Sequence, residues 1–196
     1  DGTIIAIGAH QNDGTTGNIY NNKGHVRVYQ YDATKTIAVT DQNSSTYGPI
    51  GWNRLGSDID GENNYDESGY SVTMNNDGTR IAIGAYLANG INGFDSGHVR
   101  VYDRNSSNTT IEPIGWQQVG NDIDGEASND QSGWSVAMSS NGSRIAIGAP
   151  VNDGNDNDSG HVRVYQYSNN SWSQLGSDID GEVSGDKSGY SIVMNS

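Results

Sequence analysis

The chain has 196 residues, no cysteine and a net charge of −14. Disulfides and thiolate metal sites are therefore excluded. The negative field repels phosphate backbones and anionic membranes, which argues against nucleic-acid binding, and no window has the length and apolarity of a transmembrane helix, so no membrane insertion is expected.

Four motifs recur three times in fixed order. Asp-Gly-Thr-Ile-Ile-Ala-Ile-Gly-Ala at 1–9 returns as Asp-Gly-Thr-Arg-Ile-Ala-Ile-Gly-Ala at 77–85 and Asn-Gly-Ser-Arg-Ile-Ala-Ile-Gly-Ala at 141–149. Gly-His-Val-Arg-Val-Tyr stands at 24–29, 97–102 and 160–165, and Asp-Ile-Asp-Gly-Glu at 58–62, 122–126 and 178–182. Ser-Gly-(Tyr/Trp)-Ser stands at 68–71, 132–135 and 188–191. An internal repeat decides the architecture before any single residue does. It divides the chain into units 1–76, 77–140 and 141–196. They differ in length mostly between Gly-His-Val-Arg-Val-Tyr and the next Trp, which puts that connection on the surface. One unit cannot bury its own apolar face, so neighbours must stack.

Four strands are predicted per sheet, taken here along the second sheet. Residues 71–74 begin it, and Asp77-Gly78 follows. Asp-Gly favours a two-residue hairpin of type I′, with positive φ at both central residues, so 71–74 and 80–84 should be antiparallel neighbours. Residues 81–85 are apolar and short, as a buried strand is. Val99 and Val101 alternate with His98, Arg100 and Tyr102. A weaker strand runs from Trp116 to Ile123, anchored by Trp116, Val119 and Ile123. The chain then crosses to 135–138 in the next sheet. No stretch carries a helical period. The sheets are thus offset from the units, with first strands near 68–74, 132–138 and 188–194. Four-stranded antiparallel sheets in series make an all-β propeller. The first sheet lacks its first strand and 188–194 lacks a sheet. The expectation is an incomplete ring, completed by a longer chain or by other copies. In the second case Ser188, Tyr190, Ile192 and Met194 add a strand to another copy, and self-association runs through the chain ends.

The motifs resemble the FG-GAP repeats of integrin α-subunit propellers and of many secreted propeller proteins. Ser-Gly-Trp-Ser-Val at 132–136 matches the family's Phe-Gly-x-Ser-Val strand, with Tyr or Trp in place of Phe throughout. Ile-Ala-Ile-Gly-Ala-Pro at 145–150 matches its Gly-Ala-Pro strand, and 160–165 its third. The resemblance covers essentially the whole chain. It implies a propeller with adhesion or ligand binding as frequent roles. It also implies calcium in the loop between the first and second strands, but that loop has shrunk here to 75–79 and 139–143. Such a hairpin cannot supply the roughly six to eight oxygens calcium takes.

Acidic residues cluster elsewhere. Asp58, Asp60 and Glu62 recur as Asp122, Asp124 and Glu126 and as Asp178, Asp180 and Glu182, each set followed by Asp66, Asp130 or Asp186. Hard oxygen ligands at that spacing suit calcium. The alternative is structural: the first Asp solvated, the second paired with Arg, the last in an Asx-turn before Ser-Gly. Asp153, Asn155, Asp156 and Asp158 form a second candidate calcium string, against a plain polar turn. No cofactor is required by either reading. Arg27, Arg100 and Arg163 recur with the carboxylates and should form repeated ion pairs that fix register more than add stability. His25, His98 and His161 beside them read as packing residues between sheets.

No nucleophile–base–acid set stands out, and no Ser lies in a Gly-x-Ser-x-Gly elbow. The expectation is no enzyme. Sequons at Asn43, Asn105, Asn108 and Asn169 fall in the variable connection, where a glycan fits. The leading expectation is an extracellular or cell-surface glycoprotein with a structural or adhesive role at a surface or in a fibre. The alternatives are a propeller module binding a protein or glycan ligand, and a fragment of a propeller enzyme.

Overall fold

A computed structural model describes residues 2–13, 21–42, 44 and 46–195. Among them there is no helix. The first sheet holds β1 (Ile4–Ala9), β2 (His25–Tyr31), β3 (Trp52–Arg54) and β4 (Ile59–Asp60). The second holds β5 (Ser71–Met74), β6 (Arg80–Ala85), β7 (His98–Arg104), β8 (Trp116–Gln118) and β9 (Ile123–Asp124). The third holds β10 (Ser135–Met138), β11 (Arg144–Ala149), β12 (His161–Ser168), β13 (Ser171–Gln174) and β14 (Ile179–Asp180). All pairs are antiparallel, in identical register: Ser71 faces Gly84 as Ser135 faces Gly148, and Ala85 faces His98 as Ala149 faces His161. The all-β reading in blade-like sheets holds, and the sheets do not close into a ring.

Three local expectations are corrected. The fourth strand of each sheet is broken in two, and both halves pair with the same neighbour, as β8 and β9 do with β7. The break falls where Gly56, Gly120 and Gly176 take φ of 76°, 76° and 79°. The hairpins after β5 and β10 are not type I′. Only Gly78 and Gly142 have positive φ, and the turns close from the Gly78 and Gly142 N–H to the carbonyls of Asn75 and Ser139. Asp77 and Asn141 stay right-handed because their side chains accept the N–H of Thr79 and Ser143. Residues 191–195 form no strand. The equivalent segments β5 and β10 are strands because β6 and β11 pair with them, and among the described residues nothing pairs with 191–195.

Period-two alternation decides which sheet each residue faces. Ile81 and Ile83 of β6, with Tyr102 and Trp116, meet Val26, Val28, Leu55 and Ile59 of the first sheet. The intervening Ala82, with Val99, Val101 and Ile123, faces Met138, Ile145 and Ile147 of the third. A sheet covered on both faces has strands that read as continuous apolar runs, which is why β6, between the first and third sheets, lacks polar alternation. Each fully buried isoleucine contributes about 2 kcal/mol. The sheets approach most closely at the Ile-Gly-Ala glycines. A Cβ on Gly8, Gly84 or Gly148 would stand 2.0, 2.1 or 2.0 Å from the carbonyl oxygen of Gly69, Gly133 or Gly189, in the Ser-Gly-(Tyr/Trp)-Ser motif at the end of the same unit.

Candidate functional site

The repeated arginines and carboxylates line the boundaries between sheets. Arg27 on β2 donates from Nε and Nη2 to both oxygens of Asp58, at 2.8 and 2.7 Å. Arg54 Nη1 joins at 3.2 Å. Arg163 on β12 forms the same fork with Asp178, at 2.8 and 2.6 Å, and also contacts Glu126 of the preceding unit. Arg100 on β7 takes its carboxylate partner from the preceding unit. Its Nη2 donates to the Asp60 carbonyl at 2.9 Å, and its Nη1 lies 3.3 Å from Glu62 Oε1. Asp122, left without Arg100, accepts from Gln118 Nε2.

Each guanidinium therefore meets a repeat carboxylate; for Arg27 and Arg163 the partner within the same sheet is the first Asp, not the second as the structural alternative had it, while Arg100 meets Glu62 of the preceding unit. The reason is reach: the first Asp precedes the short strand and faces the Arg fork across the sheet edge. Burial pushes the Asp58 carboxyl up, yet the hydrogen bonds and charge of Arg27, with His25 and Arg54 beyond, bring it below the ordinary range. The Arg163 hydrogen bonds hold Asp178 low in the same way. Burial, reinforced by the neighbouring first Asp, raises Asp60 and Asp124. The Asp66, Asp130 and Asp186 carboxylates accept the N–H three residues back, from Asn63, Ala127 and Val183. They staple the crossing rather than open an Asx-turn toward Ser-Gly.

His25, His98 and His161 are 5%, 3% and 3% exposed. Burial lowers all three, and His98 falls to about 4, with Arg100 acting the same way and Asp122 against. His25 gathers with Asp58 and Asp60, and His161 with Glu126 and Asp178, each set with ligand atoms within 4.8 Å of one another. Arg27 and Arg163 already occupy carboxylates of these sets, so a cation there would displace a guanidinium. The hairpins at 75–79 and 139–143 do not fit calcium: Asp77 is the sole carboxylate of the first, and its Oδ1 accepts from Thr79. In the string at 153–158, Asp153 Oδ1 accepts the Asp158 N–H, Asp156 Oδ1 the Asn157 N–H, and Asn155 Nδ2 donates to the Gly181 carbonyl. Asp124 and Asp180 lie under the loops: a Cβ on Gly90 or Gly154 would stand 2.7 or 3.1 Å from their Oδ1. Glu182 is exposed.

Of the sequons, Asn43 lies outside the described residues. Asn105 donates to Gln117 Oε1. Asn108 spends its amide on the carbonyls of Ile111, Pro113 and Trp116. Asn169 is exposed in the turn joining β12 and β13.

Two features escaped the sequence reading. The first is a cleft of about 840 Å³ between the first and second sheets, lined by Asp58, Asp60, Glu62, Arg100 and Glu112. It depends on loop 105–115 reaching across to Ser57, which pairs with the backbone of Ile114. A loop's length was visible, but not its destination. The second is a column of rings along the sheet series. Tyr70 packs on Trp134 at 4.9 Å and Trp134 on Tyr190 at 5.1 Å, with Tyr86 between Tyr70 and Trp134 and His10 against the outer side of Tyr70. The signal was present, since these aromatics hold the third place of Ser-Gly-(Tyr/Trp)-Ser.

No curated protein matches the chain. The family model of the FG-GAP repeat matches residues 123–165, from β9 into β12. The equivalent residues one unit earlier, at 59–102, run in the same way from β4 of the first sheet into β7 of the second. Residues 123–165 thus match one FG-GAP repeat, and the sheets are arranged like the blades of a propeller.

Proposed function

We propose that this repeat protein is non-catalytic and serves a structural or adhesive role outside the cell, at a surface or in a fibre. The observation that carries this reading is where the repeated chemistry goes. Arg100, Arg163, Trp116 and Trp172 all bind the neighbouring unit rather than converge on one pocket. Catalysis normally needs different residues meeting at one place. The acidic surface and the exposed Asn169 sequon fit an extracellular setting, and among the described residues no helix is long and apolar enough to cross a membrane. Beads coated with the chain should adhere to cell or matrix surfaces, while glycoside, ester and phosphodiester substrates show no turnover. Turnover that scales with protein concentration, or absence of adhesion, would overturn the reading.

A second reading follows from the cleft between the first and second sheets. Its carboxylates and Arg100 offer acceptors and donors to a polar ligand such as a sugar. A glycan array tests it: binding should be lost in Glu112→Ala, which removes a cleft carboxylate at an exposed loop.

A further inference from the structure

The two sheet junctions within the chain are built alike. Trp116 Nε1 donates to the Leu55 carbonyl, and Trp172 Nε1 to the Val119 carbonyl, both at 2.9 Å. Each indole lies over the glycine that follows, so a Cβ on Gly56 or Gly120 would stand 2.7 or 2.8 Å from it. Arg100 meets Glu62 and Arg163 meets Glu126 across the same junctions. Ser71 Oγ and Ser135 Oγ donate to the next unit's Gly133 and Gly189 carbonyls, both at 2.6 Å.

The third sheet carries a further set of these receiving groups, and none of the described residues fills it. Leu175 is 46% exposed where Leu55 and Val119 are each 8%. Ile179 is 58% exposed where Ile59 and Ile123 are 1% and 6%. A Cβ on Gly176 would meet nothing within 4 Å. The Glu182 carboxylate has no cation among the described residues. The first sheet carries the matching set of inserting groups. Ile7 is 49% exposed where Ile83 and Ile147 are 1% and 2%. The Arg27 side chain is 29% exposed where those of Arg100 and Arg163 are 6% and 14%.

We propose that the third sheet of one chain receives the first sheet of a second copy, head to tail, by the junction already built twice within the chain. Trp52 of the second copy covers Gly176 and donates to the Leu175 carbonyl. Its Arg27 keeps Asp58 and adds Glu182, as Arg163 holds Asp178 and Glu126. Residues 191–194 pair with β1 of that copy in the register of β5 on β6, which sets Ser191 opposite Gly8 and Ile192 opposite Ile7. Tyr190 then extends the ring column to His10 and Tyr70 of the second copy. Opposite charges, an apolar face on each side and an uncovered Gly176, where Gly56 and Gly120 each lie under an indole, make the surfaces complementary to each other rather than to an unrelated partner. Two copies supply six sheets, inside the range of about four to eight that closed propellers use. The inference is independent of adhesion and of enzymatic activity.

Sedimentation of the 196-residue chain tests it, with a dimer or larger assembly expected. A single species at the 20.9 kDa of one chain across micromolar concentrations overturns it. Ile179→Asp blocks the receiving face and Trp52→Ala the inserting face. Each should weaken association about thirtyfold, the effect of one hot-spot side chain. Mixed together they should form a one-to-one pair through their remaining intact faces, which also shows that both are folded. If the mixture stays monomeric while both variants keep the circular dichroism of the parent, the head-to-tail geometry is wrong.

Discussion

The indole nitrogen of Trp116 donates to the carbonyl oxygen of Leu55, 2.9 Å away and 61 positions earlier in the chain. Trp116 is 1% exposed, among the most buried side chains of the molecule. One residue thus joins the fourth strand of the second sheet to that of the first. Trp116→Phe keeps a ring but leaves the Leu55 carbonyl without that donor. A loss of about 2 kcal/mol is expected, read from urea unfolding. A change below a few tenths would show that the indole N–H is dispensable.

Gly84→Ala is expected to be the most damaging small change. Its Cβ would stand 2.1 Å from the Gly133 oxygen and 2.3 Å from Ser71 Oγ. The first of these is backbone and cannot rotate away. About 3 kcal/mol should be lost. The neighbouring Ala82→Gly, a mild change in a strand, serves as the comparison. Equal costs at the two positions would refute the close-approach argument.

Stability should fall on acidification before the paired carboxylates titrate. His25, His98 and His161 have folded values below the unfolded one of about 6.5. As pH drops below that value the unfolded chain takes up protons that the folded chain refuses, so the unfolded state gains. For His98 the loss continues down to about 4. Asp60, Asp66 and Asp124 are raised and act in the opposite sense, but only near the carboxylate range. The melting temperature should therefore decline from pH 7 to 5, and decline less steeply in His98→Gln. An unchanged slope in that variant would remove His98 from the account.

Arg163→Gln strips one guanidinium from two carboxylates, Asp178 and Glu126. A cost of about 2 kcal/mol is expected at pH 7, less than for a fully buried pair because both acids retain solvent. The sign of the pH dependence follows from Asp178. Its folded value is depressed, so its contribution is complete above the unfolded value and is lost as pH falls through the folded one. The penalty of the variant should shrink toward pH 3. A second substitution, Glu126→Gln, should recover part of it in a double-mutant cycle. No coupling would mean that the contact across the junction is idle.

The sheet order was legible because each strand carries a repeated signature, and three copies of a weak signal agree. Ile81, Ile83, Val99 and Val101 were placed correctly between sheets for that reason. The break in the fourth strand was harder to see, since Gly120 reads as a weak spot in a strand and not as a left-handed kink. The Asp-Gly hairpin was paired correctly and its turn type was not, because the Asp77 side chain competes for the turn's own N–H groups. At the carboxylates, composition showed that Arg and Asp recur together. It could not show that Arg100 and Arg163 reach back one unit, since a contact across a junction leaves no spacing in the sequence.

The connection after the third strand occupies residues 32–51 in the first sheet, 105–115 in the second and only 169–170 in the third. All three close the same antiparallel pair. The scaffold therefore accepts foreign sequence at that rim without renegotiating its fold. A peptide grafted between Ser168 and Ser171 would be displayed on a rigid support, and a lineage could diversify what this protein presents to its surroundings by altering that segment alone.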